Sequence, residues 1–115
     1  MLTLTELHAS HARILVVAGK IDAKTMGAFE DGIRALLDAG HSQLVIDFSE
    51  VPFISSAGLG VLMAVIEEVR GAGGDLMLAR VQPEVYRIFD ILDFTSLFRF
   101  FDTVDAAVDA LRPVG

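Results

Sequence analysis

Hydrophobic positions alternate with polar positions at the start of the chain and then change to a helical spacing. Residues 2–7 alternate and residues 14–18 form a β-branched run, so the two stretches predict a hairpin whose second strand ends at Gly19. The next apolar residues recur at helical spacing up to a stop at Gly40: Met26, Phe29, Ile33, Leu36 and Leu37. Asp22 is the expected N-terminal cap of this helix.

A mainly apolar run, Leu44-Val45-Ile46-Asp47-Phe48, marks the middle of the chain. A strand with apolar residues on both sides has no side for solvent, which is typical of a central strand in a parallel sheet covered on both faces. After the connection "SEVPFISS", apolar residues recur at helical spacing until the glycine-rich stretch 71–74. This second helix is nearly apolar all round, so we expect it to lie against the sheet.

The last third of the chain repeats the order of strand and helix. It predicts a strand at residues 75–80, a helix that begins at Pro83, a short edge strand at residues 97–101 and a capped final helix. The whole pattern predicts an α/β fold, with a mixed, mainly parallel sheet of about four to five strands that opens with an N-terminal hairpin and packs against about four α-helices. A length of 115 residues predicts a single domain over residues 1–115.

Charge and composition exclude several classes of function. The net charge of -7 repels phosphate backbones and anionic lipids, so we expect no nucleic-acid partner. The chain has no cysteine, and therefore neither disulfides nor thiolate metal ligands. Its longest uncharged apolar stretch, residues 51–66, is interrupted by Pro52, serines and glycines and is too short for a membrane span. We expect a cytoplasmic protein without membrane insertion.

The adjacent residues Ser55 and Ser56 are the most informative polar positions. They follow the predicted central strand, and open α/β sheets place their functional residues at the carboxyl ends of the strands. A purely structural alternative is that one serine caps the following helix, a contribution of about 1 kcal/mol. A hydrolase nucleophile is disfavoured, because Ile54 stands where G-x-S-x-G needs its first glycine and all three histidines precede Ser56.

The sequence does not support metal or cofactor sites. Gly58-Leu59-Gly60 starts a dinucleotide-binding G-x-G-x-x-G, but the last position of the motif is Met63. We interpret His8 and His11 as exposed hairpin residues, because no third metal ligand accompanies them. A solvated helix face is the prediction for three acidic residues: Asp102, Asp105 and Asp109. We therefore expect no metal, no cofactor and no enzymatic activity.

The stretch "LVIDFSEVPFISSAGLGVL" carries a long and specific motif. It resembles D-L-S-x-V-x-F-[IM]-[DS]-S-[SA]-G-L-G-V-L, the pattern of the STAS family of bacterial anti-sigma factor antagonists. The resemblance extends to Gly19-Lys20-Ile21-Asp22, similar to the family's G-x-[IL]-D, and to the stretch "LARVQPEVYRIFDILDFTSLFRFFDTVDAAVDAL". Nearly the whole chain is covered, and the resemblance implies the STAS fold.

The resemblance also implies a switch protein in transcription regulation, an anti-anti-sigma factor. In this family the unphosphorylated protein binds an anti-sigma factor serine kinase of the histidine-kinase-like ATPase fold and frees the sigma factor. Phosphorylation releases the kinase until a phosphoserine phosphatase resets the protein, and the antagonists usually act as monomers. The family's phosphoacceptor falls on Ser56 and its pocket aspartate on Asp22. Many antagonists have Asp immediately before the acceptor, where this chain has Ser55, a second candidate acceptor.

The expected partner contacts are Asp22 and the start of the second helix: Ser55, Ser56, Ala57, Gly58, Leu59 and Gly60. We expect Ser56 to be both the helix cap and the phosphoacceptor. Its phosphate adds about -1.5 to -2 charges at a helix N-terminus, so it should act in the interface without unfolding the domain. Gly58 and Gly60 are expected to leave room beside the serine for close approach of a kinase backbone.

One alternative function also follows from the resemblance. STAS domains serve as non-catalytic subunits of ABC-type phospholipid or organic-solvent-resistance transporters, in which the same loop contacts an ATPase. Copurification with a transporter, and not with a kinase, is the observation that would favour this role. The complete "SSAGLGVL" helix start and the C-terminal half favour sigma regulation.

Overall fold

The described structure, residues 1–112 of a computed structural model, contains one five-stranded sheet. The strands lie side by side in chain order: β1 (Thr3–His8), β2 (Arg13–Ala18), β3 (Gln43–Glu50), β4 (Asp75–Ala79) and β5 (Arg99–Phe101). β1 and β2 are antiparallel, whereas the pairs from β2 to β5 are parallel. The predicted hairpin, central strand and short edge strand are confirmed. Residues 113–115 of the predicted single domain lie outside the described part.

Within residues 1–112, four helices cover the two faces of the sheet: α1 (Met26–Asp38), α2 (Ser56–Gly71), α3 (Pro83–Ile91) and α4 (Val104–Ala110). The apolar sides of α1, α2 and α3 pack against one face in the larger core. On the other face, Ala107 and Leu111 pack with Ile14, Val45 and Met77. None of these helices is long and apolar enough to cross a membrane. The predicted α/β class is therefore confirmed.

The larger core is built around Phe48 of the central strand. Phe48 contacts Phe29 of α1 and Phe89 of α3 edge to face, with ring centroids 6.3 and 6.4 Å apart. All three side chains are fully buried. Such aromatic pairs contribute about 0.5–1.5 kcal/mol each beyond the burial of apolar area. They attach α1 and α3 to the strand that leads to the two serines.

Most helix ends follow the sequence signals. α1 ends in a Schellman motif, in which Gly40 adopts a left-handed φ of +91°. α3 begins at Pro83, as predicted. The start of α1 differs, because the regular helix begins at Met26 after the cap residue Thr25. Asp22 caps the turn before the helix instead of the helix itself.

Gly58 packs against the core and does not face solvent. A methyl group at this position would lie 2.7 Å from Cγ2 of Ile21 and 2.8 Å from Cγ1 of Ile54, closer than real Cβ contacts. Both isoleucines are buried. The expectation that Gly58 leaves space for a partner is therefore wrong, since its missing side chain lets α2 approach the core. Gly60 is exposed, and a methyl group there would meet open space.

We expect Gly58→Ala to lower the free energy of unfolding, because overpacking a core typically costs about 1–3 kcal/mol. Gly60→Ala is the matched control. It adds the same methyl group to the same helix without a clash, and alanine gains about 1 kcal/mol over glycine within helices. Chemical denaturation of both variants measures the difference, and equal effects would contradict the packing role of Gly58.

Candidate functional site

Two loops meet at the carboxyl edge of the sheet, where the adjacent parallel strands β2 and β3 end. Ile21 N–H donates to Phe53 C=O over 3.0 Å, and Ser55 N–H donates to Ile21 C=O over 2.8 Å. Ile21 and Ile54 thereby form an isolated parallel bridge. Asp22 directly follows Ile21, and Ser56 directly follows Ser55. The structure therefore brings together the two segments that the sequence predicted to act together.

The two serines have different structural roles. Ser55 is the N-cap of α2, with an extended backbone at φ -83° and ψ 167°, and its Oγ accepts a hydrogen bond from Gly58 N–H at 3.2 Å. Ser56 is the first helical residue, is exposed, and makes no side-chain hydrogen bond to residues 1–112. The prediction that Ser56 caps the helix is therefore wrong, because a cap needs the extended backbone that Ser55 has.

Asp22 holds the turn that leads into α1. Its Oδ1 accepts hydrogen bonds from the backbone N–H of Lys24 at 2.9 Å and of Thr25 at 3.1 Å. The Asp22 N–H in turn donates to Thr25 Oγ1 at 2.9 Å. The pKa of Asp22 is lowered, chiefly by the hydrogen bond from the Lys24 backbone, while partial desolvation acts in the opposite direction. The charged carboxylate is therefore the favoured form.

The predicted partner contacts differ in exposure. Ser56, Ala57 and Gly60 are exposed, whereas Gly58 and Leu59 are buried. Leu59 packs in the larger core and Gly58 lies against Ile21 and Ile54, so both offer little surface to a partner. Their contribution to binding would be indirect, through the position of α2.

Phe53 is a surface residue that the sequence analysis did not single out. It lies in the loop before the serines, and it is 42% exposed. Large aromatic side chains at the surface are enriched in protein interfaces, where they often contribute most of the binding energy. The signal in the sequence is an aromatic residue within the connection between β3 and α2. The exposed residues Phe53, Ser56, Ala57 and Gly60 are named the serine surface below.

A buried carboxylate, also missed by the sequence analysis, lies near the end of the central strand. Asp47 is 5% exposed and accepts a hydrogen bond from Ser49 N–H at 2.9 Å. Its Oδ2 lies 3.6 Å from Nη1 of Arg80, a residue with the uncommon φ of +58°. The signal in the sequence is one acidic residue within an apolar run. These contacts hold the end of β3, from which the loop to the serines departs.

The two hairpin histidines are not both exposed. His8 is exposed and bonded to Glu6, but His11 is partly buried, and its Nε2 lies 2.8 Å from the carbonyl oxygen of Val108. This contact joins the hairpin to α4, so the interpretation of His11 as an exposed residue is wrong. Within residues 1–112, no three side chains of the metal-ligating types are arranged to hold a metal ion.

The sequence and the fold agree with one known family. The STAS domain model matches residues 5–107, from β1 into α4. The chain belongs to the STAS domain family. The family that the stretch "LVIDFSEVPFISSAGLGVL" indicated is therefore confirmed, and so is the predicted STAS fold.

Curated relatives of this STAS domain are named anti-sigma factor antagonists. The chain is 30% identical over 99 residues to the putative anti-sigma factor antagonist BtrV of Bordetella bronchiseptica. The aligned region covers 86% of this chain and 85% of that protein. It is 29% identical over 111 residues to the anti-sigma-F factor antagonist RsfB of Mycobacterium tuberculosis. That aligned region covers 96% of this chain and 90% of that protein.

Solved structures share the fold over nearly the whole chain. An anti-sigma factor antagonist from Mycobacterium paratuberculosis superposes with a TM-score of 0.88 at 28% identity, covering 98% of this chain and 96% of that one. SpoIIAA in its unphosphorylated form superposes with a TM-score of 0.82, covering 98% and 99%. Its phosphorylated form gives 0.73, covering 96% and 100%, and both forms are 16% identical to this chain.

The STAS fold also occurs inside a membrane transporter. The murine anion transporter Slc26a9 superposes with a TM-score of 0.75 at 16% identity, covering 91% of this chain but 18% of that one. At this identity the similarity shows a shared fold, without information on a shared role.

We expect Ser55→Ala to lower the free energy of unfolding by about 1 kcal/mol, because it removes the cap of α2. Ser56→Ala is the matched control, because it removes an exposed hydroxyl, and its effect should stay within about 0.5 kcal/mol. Ser55→Asp should keep the cap, since aspartate is also a good N-cap residue. Urea denaturation compares the three variants. A larger loss for Ser56→Ala than for Ser55→Ala would contradict the assigned roles.

The lowered pKa of Asp22 predicts a pH dependence of stability. A carboxyl group with a lower pKa in the folded chain stabilises the fold above its unfolded pKa, about 4, and this contribution is lost as the pH falls through the folded pKa. The excess stability of the protein over Asp22→Asn should therefore be full at neutral pH and shrink below about pH 4. Urea denaturation across this range measures the difference, and a pH-independent difference would refute the role of the charged form.

Proposed function

We propose that the chain is an anti-sigma factor antagonist controlled by phosphorylation of Ser56. In its unphosphorylated form it binds an anti-sigma factor serine kinase through the serine surface and Asp22, and the kinase then releases its sigma factor. The observation that carries the proposal is the exposed hydroxyl of Ser56 at the first position of α2, beside the Asp22 turn. The names of the relatives BtrV and RsfB, aligned over more than four fifths of each chain, support it.

Ser56 is the better phosphoacceptor of the two serines. The Oγ of Ser55 is used as the acceptor of the Gly58 N–H, and Ser55 is only partly exposed. Phosphorylation of Ser55 would have to disturb this cap, which contributes about 1 kcal/mol. Ser56 is exposed and carries no such bond, so a kinase can phosphorylate its hydroxyl without changing the helix start.

A phosphate on Ser56 would meet a favourable local environment. The N-terminus of a helix stabilises an anion by about 0.3–1 kcal/mol, and the first turn of α2 contains no acidic residue. The two lysines of the chain, Lys20 and Lys24, both flank Asp22 in the loop that is bonded to Ser55. Their charges oppose the repulsion between the phosphate and the Asp22 carboxylate. We therefore expect phosphorylation to leave the fold intact.

Release of the kinase would then come from the interface. Ser56 lies along the chain between Phe53 and Gly60, so a partner that covers the serine surface also covers the phosphate. Burying such a charge without a matched partner costs several kcal/mol, and each 1.4 kcal/mol weakens binding about tenfold. A phosphoserine phosphatase would return the protein to its binding form. The shared fold of the two SpoIIAA forms with this chain supports a switch without refolding.

A second candidate function is that of a non-catalytic STAS subunit in a transporter. The occurrence of the fold within Slc26a9 supports it at the level of the fold. In this role the serine surface would contact a transporter ATPase. Isolation of the protein from its cells with a transporter, and not with a soluble kinase, would favour this function over the first.

Phosphopeptide mass spectrometry, after incubation with the cognate kinase and ATP, should map one phosphate to Ser56. Ser56→Ala should abolish the modification, because the acceptor oxygen is missing. Ser55→Ala and Ser55→Asp are the controls, and both should still be phosphorylated at Ser56. A phosphate mapped to Ser55, or undiminished phosphorylation of Ser56→Ala, would exclude Ser56 as the switch residue.

A further inference from the structure

A cavity of about 310 Å³ lies at the amino ends of β2 and β3, whereas the serine surface lies beyond the carboxyl ends of these strands. It opens between the β1–β2 turn and the connection from α1 to β3, beside Gln43, the first residue of β3. The connection from β3 to the two serines leaves the other end of this eight-residue strand, roughly 26 Å away. The cavity is therefore separate from the serine surface, and its role does not depend on the proposed switch.

The polar side chains around the cavity all carry hydrogen-bond donors: Ser10, His11, Arg13, His41, Ser42 and Gln43. None of the lining residues, all within residues 1–112, is acidic. This composition stands out in a chain with 16 acidic residues against 9 lysines and arginines. A donor-lined cavity in an acidic protein favours a ligand that brings negative charge and acceptor oxygens.

Four of these side chains remain available to a ligand. His11 and Ser10 are bonded to each other at 3.1 Å, and Nε2 of His11 is used by Val108. The side chains of the other lining residues make no hydrogen bond within residues 1–112, apart from one nitrogen of Arg13. The backbone N–H groups of Gly40 and His41 already donate hydrogen bonds to carbonyl oxygens in the last turn of α1. Neither these N–H groups nor these carbonyl oxygens are therefore free.

Arg13 carries a buried donor without an acceptor. Its Nη1 reaches the carbonyl oxygens of Ala9 and Ala12, both at 3.4 Å. Its Nε is buried and has no hydrogen-bond partner in the described part of the chain. Oε2 of Glu6 forms an ion pair with this nitrogen at 3.8 Å, beyond hydrogen-bond distance, and is also bonded to His8 at 2.7 Å. Nε is closed to solvent, so a ligand in the cavity would reach the guanidinium through Nη2, which makes no hydrogen bond to residues 1–112.

We propose that this cavity binds a small molecule through a phosphate or carboxylate group, with Arg13 as the main donor. An oxyanion in the cavity would accept a charge-assisted hydrogen bond from the guanidinium. His41, Ser42 and Gln43, next to one another at the start of β3, would bond its remaining oxygens. The volume of about 310 Å³ is at the lower end of small-molecule sites, which suits a small ligand. The chain would thus have a ligand site at the amino ends of the parallel strands and the serine surface at their carboxyl ends.

The test is an NMR titration of the ¹⁵N-labelled full chain with inorganic phosphate and, separately, with acetate at constant ionic strength. We expect saturable shifts of the amides around the cavity with at least one of the two anions. Saturation by phosphate assigns a phosphate group to the natural ligand, and saturation by acetate a carboxylate group. Arg13→Gln should weaken binding by about 10-fold or more, because hydrogen bonds to charged groups are the strong ones.

One control variant and two further variants of the site separate a built site from general charge effects. Arg112→Gln removes an exposed arginine that is paired with Asp109 and does not line this cavity, so it should leave binding unchanged. His41→Ala and Ser42→Ala test the same site if Arg13→Gln does not fold, and each should weaken binding severalfold. Shifts that do not saturate with either anion, or an equal loss in Arg112→Gln, would overturn the proposal.

Discussion

The parallel bridge between Ile21 and Ile54, made by hydrogen bonds from Ile21 N–H to Phe53 C=O and from Ser55 N–H to Ile21 C=O, connects the parts of the proposed switch. It forms because β2 and β3 are adjacent and parallel, so the loops at their carboxyl ends lie side by side. A single such bond contributes only about 0.5–1.5 kcal/mol, but the packing of Ile21 and Ile54 against the bare α-carbon of Gly58 supports it. The position of Asp22 beside Ser56 depends on this small apolar contact.

The adjacent serines separate the stability of α2 from its proposed regulation. The hydroxyl of Ser55 is bound at the helix start, whereas Ser56 is exposed and can change charge without loss of the cap. This division also explains how the chain can differ from relatives of the family with Asp before the acceptor. Serine and aspartate are both good N-cap residues, so the structural role is kept. The difference is one negative charge beside the proposed phosphoacceptor, which bears on kinase recognition more than on the fold.

Much of the fold is predictable from the sequence, because the alternation of the hairpin, the apolar run of β3 and the helical spacings are local signals. The caps are less predictable, since Asp22, Thr25, Ser55 and Ser56 all suit a helix start and only the backbone conformation distinguishes them. Contacts between distant segments are not visible in the pattern at all. The burial of Gly58 depends on isoleucines in two other loops, and a glycine beside a serine motif is equally compatible with an exposed and a buried position.

The most direct measurement is the affinity of the cognate anti-sigma factor kinase for the protein with serine and with phosphoserine at position 56, combined with amide hydrogen exchange of both forms. Release through the interface predicts at least about tenfold weaker binding of the phosphorylated form, with unchanged protection of β3 and α2. Equal affinities would contradict Ser56 as the switch. Weaker binding accompanied by lost protection in α2 would instead show that the phosphate acts by unfolding the helix start.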